Sequence, residues 1–115
     1  MPVVIGDVGA DVGKGPVMVT VEYTVIPERT AEFVDAMHEY GQVRRRDGAY
    51  RWAIFRDTEL ADRYLEIFFV NSWAEHLRQH ERQTQADREL EVRIRGCLSA
   101  EPIVRHLIDT YAAET

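Results

Sequence analysis

Arg63-Tyr64-Leu65-Glu66-Ile67-Phe68-Phe69-Val70-Asn71-Ser72-Trp73-Ala74-Glu75-His76-Leu77-Arg78-Gln79-His80 is the stretch whose reading decides the fold. Apolar residues occupy both odd and even positions of 63–70, the pattern of a strand covered on both faces. A single acid, Glu66, sits in the middle of that run. The strand passes directly into an amphipathic helix. Ser72 and Glu75 stand at capping-box spacing, in which each side chain satisfies a free backbone amide near the helix start.

Working back from it, residues 58–62 make a polar connection of hairpin length. Residues 49–57 (Ala-Tyr-Arg-Trp-Ala-Ile-Phe-Arg-Asp) are rich in aromatic and branched side chains and read as a partner strand. Before that, Phe33, Ala36, Met37, Tyr40 and Val43 fall on one face of a helix over 28–46. Gly41 weakens its interior by about 1 kcal/mol relative to alanine, which points to a close packing contact there. Arg44-Arg45-Arg46-Asp47-Gly48 resembles a basic patch, but cations favour a helix C-terminus and Gly48 can take the left-handed cap. Residues 17–26 alternate as a strand, with Val17, Val19, Val21, Tyr23 and Val25 on one face and Met18, Thr20, Glu22 and Thr24 on the other. Pro27 ends it. Residues 1–16 hold four of the seven glycines and two of the four prolines, the composition of a linker or arm.

Working forward, Thr84-Gln85-Ala86-Asp87 marks a second helix start, and Leu90, Ile94, Cys97 and Leu98 follow at helical spacing. Two helices, or one kinked helix, therefore span 73–97. A last strand is expected at 103–108, and 109–115 is a tail. The order strand, helix, strand, strand, helix, strand predicts an α+β, ferredoxin-like fold over 17–108, with a four-stranded antiparallel sheet covered by helices on one face. The parity of the strands assigns Thr20, Glu22, Thr24, Tyr64, Glu66 and Phe68 to the other face. A second copy is the simplest cover for it, giving a homodimeric α/β barrel.

The chain has 115 residues, one domain's worth, with 45% hydrophobic and 30% charged residues. A net charge of -6 argues against nucleic acid as a partner. One cysteine, Cys97, excludes an internal disulfide, and its place on a buried helical face predicts an inert thiol. The opening residues lack a signal-peptide pattern and no apolar run is long enough to span a membrane, so a cytoplasmic location is expected.

Several blocks together resemble a known superfamily: Gly15-Pro16-Val17-Met18-Val19-Thr20-Val21-Glu22-Tyr23, Arg44-Arg45-Arg46-Asp47-Gly48-Ala49-Tyr50-Arg51-Trp52, Arg63-Tyr64 with Glu66, residues 72–82, and Arg105-His106-Leu107-Ile108. The chain resembles the dimeric α/β-barrel superfamily that includes the antibiotic biosynthesis monooxygenases. It is most similar to the soluble C-terminal domain of bacterial major facilitator superfamily transporters of the transmembrane secretion effector type. The resemblance implies a barrel dimer, attachment to a transporter in the full-length protein, and a place on the cytoplasmic face of the inner membrane. For the monooxygenase branch it implies cofactor-free oxidation of an aromatic substrate in the barrel cavity. Members of that branch often carry tryptophan two residues after the strand's glutamate, where this chain has Phe68.

The candidate ligand-contacting residues are Glu22, Trp52, Glu66, Phe68, Trp73 and His80, and Glu66 and His80 are the candidate acid–base pair. Two carboxylates in a dry cavity, Glu22 and Glu66, would push one pKa up, as acid–base work requires. The structural reading of Glu66 is an ion pair with Arg51 or Arg56 across the sheet. His80 reads as a pocket acid or base, or as a hydrogen-bonded structural histidine. His76 and His80 share a helical face, but a metal needs further ligands, and the nearby glutamates suit Arg78 and Arg82 equally. No metal and no cofactor is expected. Trp52 and Trp73 read as core or dimer-contact residues, or as stackers for a small hydrophobic or aromatic ligand.

Overall fold

A computed structural model describes residues 16–110. The expected arm at 1–16 and tail at 109–115 fall almost wholly outside the described residues. The elements are β1 (Val17–Thr24), a 3-10 turn (Pro27–Arg29), α1 (Thr30–Arg46), β2 (Tyr50–Arg56), β3 (Arg63–Val70), α2 (Trp73–His80), α3 (Gln85–Arg95) and β4 (Ile103–Ile108). The strands form one antiparallel sheet in the order β2-β3-β1-β4, which is the ferredoxin-like arrangement expected. The region 73–97 is two helices, each with its own cap.

Local chemistry sets each boundary. Pro27 cannot extend the β1 ladder, and it opens the 3-10 turn that leads into α1. Gly48, with φ +101°, takes the left-handed conformation that closes α1 and turns the chain into β2. At Thr84 the capping box is complete: Thr84 Oγ1 accepts from the Asp87 amide, and the Asp87 carboxylate accepts from the Thr84 amide. At Ser72 only half of it forms. Ser72 Oγ accepts from the Glu75 amide at 3.2 Å, while the Glu75 carboxylate turns to Arg78 and Gln79. The reciprocal bond expected there is absent because two side-chain donors one turn ahead compete for the same carboxylate.

The core lies between the sheet and the helices. Val17, Val19, Val21, Tyr23 and Val25 from β1 and the residue after it pack on Phe33, Ala36, Met37 and Tyr40 of α1 and on Leu90 and Ile94 of α3. In β3 the burial alternates strictly, with Tyr64, Glu66, Phe68 and Val70 inside. This corrects the face assigned to those residues. Cross-strand neighbours in an antiparallel pair share a face, and the register sets Tyr64 opposite Tyr23, Glu66 opposite Val21 and Phe68 opposite Val19. Glu66 and Phe68 therefore join the helix-covered core. Glu22 pairs with Leu65 and faces the other way.

That other face carries Met18, Thr20 and Glu22 of β1, Leu65, Ile67 and Phe69 of β3, and Leu107 of β4. Tyr50 and Phe55 of β2, paired with Phe69 and Leu65, share it. Tyr50, Phe55, Ile103 and Leu107 stay 36–55% exposed. A bulge between Tyr50 and Ala53, with Arg51 at φ 53°, lets β2 send Trp52 to the core face and Ala53 to the open face.

Candidate functional site

The polar centre of the molecule is Glu66, fully buried between sheet and helices. Its Oε1 accepts from Tyr23 Oη at 2.7 Å and from Arg44 Nη2 at 3.1 Å. Its Oε2 accepts from Arg44 Nε at 2.8 Å and from Trp52 Nε1 at 2.9 Å. Arg44 comes from the last turn of α1, and its guanidinium lies 4.6 Å from the ring centres of both Tyr40 and Phe68. Burial would push the Glu66 carboxyl up, but the Arg44 charge and the four hydrogen bonds outweigh it and hold it below the usual range. Burial and the adjacent carboxylate push the Tyr23 hydroxyl well up. For Arg44 burial disfavours the charge, yet Glu66 keeps the guanidinium firmly protonated. Glu66 is thus a fixed anion with its acceptor sites filled.

The arginine expected to pair with Glu66 was Arg51 or Arg56, and the structure corrects this. Arg51 lies in the bulge with its guanidinium 5.9 Å over the Phe69 ring, and Arg56 is exposed at the sheet edge. The cation comes from the helix above, because Glu66 faces that way. One signal in the sequence points to it. Arg44 is four residues beyond Tyr40, on the same buried stripe as Phe33 and Met37, whereas its neighbours Arg45 and Arg46 are exposed. Trp52 completes the cradle by lying flat on Gly41: a β-carbon there would sit 2.9 Å from the indole ring. The close contact expected at Gly41 is therefore Trp52.

The remaining candidates divide between three places. Phe68 is inside, against Arg44 and 5.5 Å from the His76 ring. Trp73, the first residue of α2, packs edge-on to His106 of β4 at 4.2 Å and stacks on His76 at 5.3 Å. His80 ends α2, with Nδ1 3.6 Å from Asp47 Oδ2 and Nε2 3.5 Å from Glu91 Oε1. Glu91 also accepts from Tyr40 Oη at 2.6 Å and from Gln83 at 2.7 Å. Glu22 stands apart on the open face, between Arg63 and Arg105 at 3.8 Å each. The proposed carboxylate pair does not exist: Glu22 and Glu66 lie on opposite faces of the sheet.

Burial and the Arg44 charge lower the His80 pKa, and burial takes His76 and His106 down to about 4. The His76 Nδ1–H donates to the Asp47 carbonyl oxygen at 3.1 Å. Among the described residues no group of three or more His, Cys, Asp or Glu is arranged to hold a metal ion. A void beside Tyr23 and Tyr40, closed by Ile94, Leu98 and Pro102, measures about 10 Å³, room for one water. Cys97 is buried just past α3, with its thiol toward the Arg93 carbonyl, and burial pushes its pKa up. Among the described residues no helix is long and apolar enough to cross a membrane.

Comparisons with known proteins agree with this geometry at the level of fold. A family model described as transmembrane secretion effector matches residues 3–114. No curated protein matches the sequence. Among solved structures, an antibiotic biosynthesis monooxygenase-like protein from Bordetella bronchiseptica superposes with a TM-score of 0.72 at 21% identity, covering 84% of this chain and 99% of that one. A similar protein from Caulobacter crescentus gives 0.71 at 17% identity, covering 82% and 89%. A variant of SnoaB, a cofactor-independent oxygenase from Streptomyces nogalater, gives 0.66 at 17% identity, covering 84% and 96%. At these identities the likeness shows a shared ferredoxin-like fold.

Proposed function

Because the chain belongs to the transmembrane secretion effector family, we propose that it is a non-catalytic accessory domain of a transporter-like protein, dimerising through the open face of its sheet. The observation that carries this reading is the state of Glu66. A general base must offer a free lone pair to substrate, and all four donors around Glu66 come from the protein itself. The carboxylate serves the fold. The apolar open face supplies the means of assembly, since among the described residues no helix covers Met18, Leu65, Ile67, Phe69 and Leu107. Two such faces stacked about a twofold axis enclose a barrel-like core. The domain then works on the cytoplasmic side of the membrane.

Sedimentation at micromolar concentration tests the assembly. The expected particle has twice the chain mass, and Ile67→Lys, in the middle of the open face, should leave a folded monomer. A stable monomer of the unaltered chain, with cooperative unfolding, would remove the reading.

The likeness of fold to SnoaB favours a second reading, a cofactor-independent oxygenase acting on an aromatic substrate in the barrel. Oxygen uptake with an aromatic polyketide-like substrate separates the two. Sustained uptake that requires the substrate would establish the second.

A further inference from the structure

Three of the chain's four histidines meet along one seam, where α2 lies against the rest of the molecule. His76 and His80 line the inner side of α2 with ring centres 6.4 Å apart, and His106 of β4 supports Trp73. The seam is what holds α2. The helix has eight residues, too few to be helical alone, and its buried residues are Trp73 and His76.

We propose that α2 is an acid-released flap: once His80 is charged, protonation of His76 and His106 lifts Trp73–His80 from the sheet while the sheet and the α1–α3 layer stay folded. This goes beyond the accessory role and does not depend on it.

The charges around the seam argue for that order of events. His80 faces two carboxylates, Asp47 closing α1 and Glu91 of α3, and Asp47 Oδ2 is buried without a hydrogen-bond partner. A neutral imidazole has one N–H and can serve only one of these oxygens. The first proton therefore goes to His80, although burial and Arg44 resist it. His76 then faces two cations, Arg44 of α1 and His80 one turn away. The Glu66 carboxylate behind Arg44 is already neutralised by it, and from Asp47 His76 receives only a carbonyl oxygen, which its existing N–H fills. His106 has a buried Nε2 without a partner and packs edge-on to Trp73; Arg105 beside it belongs to the open face. Neither His76 nor His106 can take a proton and stay docked, whereas both can once α2 has left.

Each histidine that gains its proton only on opening multiplies the opening equilibrium by about ten per pH unit, so His76 and His106 together give about a hundredfold per unit between roughly pH 6 and pH 4.5. Amide hydrogen exchange on the unaltered protein, corrected for intrinsic rate, reads this directly. Protection of residues 75–81 should fall about a hundredfold per unit while β1 and β3 keep theirs. Protection that persists in α2, or that is lost in step with β1 and β3, would overturn the proposal. His106→Gln should reduce the slope to about tenfold per unit, and an unchanged slope counts against it. Where that variant does not fold, imidazole resonances of the unaltered chain decide. His76 and His106 must titrate together with the loss of α2 protection; titration near pH 6.5 with α2 still protected contradicts the flap.

Discussion

Arg44 grips Glu66 with two guanidinium nitrogens, Nε to Oε2 at 2.8 Å and Nη2 to Oε1 at 3.1 Å, from the last turn of α1 to the middle of β3. The pair fixes the helix over the sheet at one register, because a bidentate contact fits one rotation of α1 about its axis. Tyr23 and Trp52 fill the sites the arginine leaves, so no polar atom of the carboxylate is left unsatisfied in the core.

Removing one member leaves the other charged and buried. Glu66→Leu and Arg44→Met should each cost about 3–5 kcal/mol in urea unfolding. The double variant Glu66→Leu with Arg44→Met should lose less than the sum of its parts, since two apolar side chains of similar volume leave no orphan charge. Additive losses would mean that the two residues act independently.

Gly41→Ala tests the indole's part in the same network. Alanine is the better helix former by about 1 kcal/mol, so on propensity alone the change should stabilise α1. The new methyl would meet Trp52 at 2.9 Å, however, and push its Nε1 off Glu66. Overpacking of this kind costs about 1–3 kcal/mol. The net effect expected in thermal unfolding is destabilisation, accompanied by a change in Trp52 fluorescence; a higher melting temperature would show that the indole yields freely.

How far the fold was legible follows from what strand and helix patterns encode. Alternation in β1, the apolar run of β3, the caps at Gly48 and Thr84, and the stop at Pro27 are local signals, and each element appears within a few residues of where those signals place it. Register is not local. Whether Glu66 lies beside Val21 or Glu22 depends on the length of the β1–β3 connection through α1 and β2, and a one-residue slip exchanges the faces. The polar site is illegible for that reason: strand parity alone sets Glu66 with Glu22 and points to an arginine on the sheet, whereas the register turns Glu66 to Arg44. Burial of Arg44 within a run of three arginines was hidden by the good electrostatic reason for cations at a helix end.

The two helix caps of the second half should differ in weight. Ser72→Ala removes one bond at the start of α2 and should cost about 0.5–2 kcal/mol. Thr84→Ala dismantles both bonds of a reciprocal box, and Asp87, held also by Arg46 at 2.7 Å, loses part of its setting. It should sit at the upper end of the same range or above it. Glu75→Ala should change stability little, because that carboxylate is exposed and its hydrogen bonds to Arg78 and Gln79 lie at the surface. Urea midpoints for the three variants check the order Thr84, Ser72, Glu75.

Acid should act on the molecule in two stages whose signs can be worked out. His76 has its pKa lowered on folding to about 4. The stability that its neutral form contributes is complete above about pH 6.5, the unfolded value, and is lost as pH falls toward 4. Glu66 also has its value lowered on folding, but it is an acid. Its ionised form contributes fully above the unfolded carboxylate value of about 4.3, and that contribution drains away only below it. The histidine loss therefore comes first. Stability against urea, measured across pH, should decline from about pH 6.5 as the histidines take up protons, and Glu66 should add its own loss below about 4.3. In the Glu66→Leu, Arg44→Met double variant the lower limb should flatten, because the ionised carboxylate that sustains it is gone, while the histidine limb above it persists in reduced form, since burial still opposes protonation of His76 but Arg44 no longer does. If both limbs vanish together, the Arg44–Glu66 pair and the α2 histidines form a single titrating unit, and acid acts on this domain in one stage.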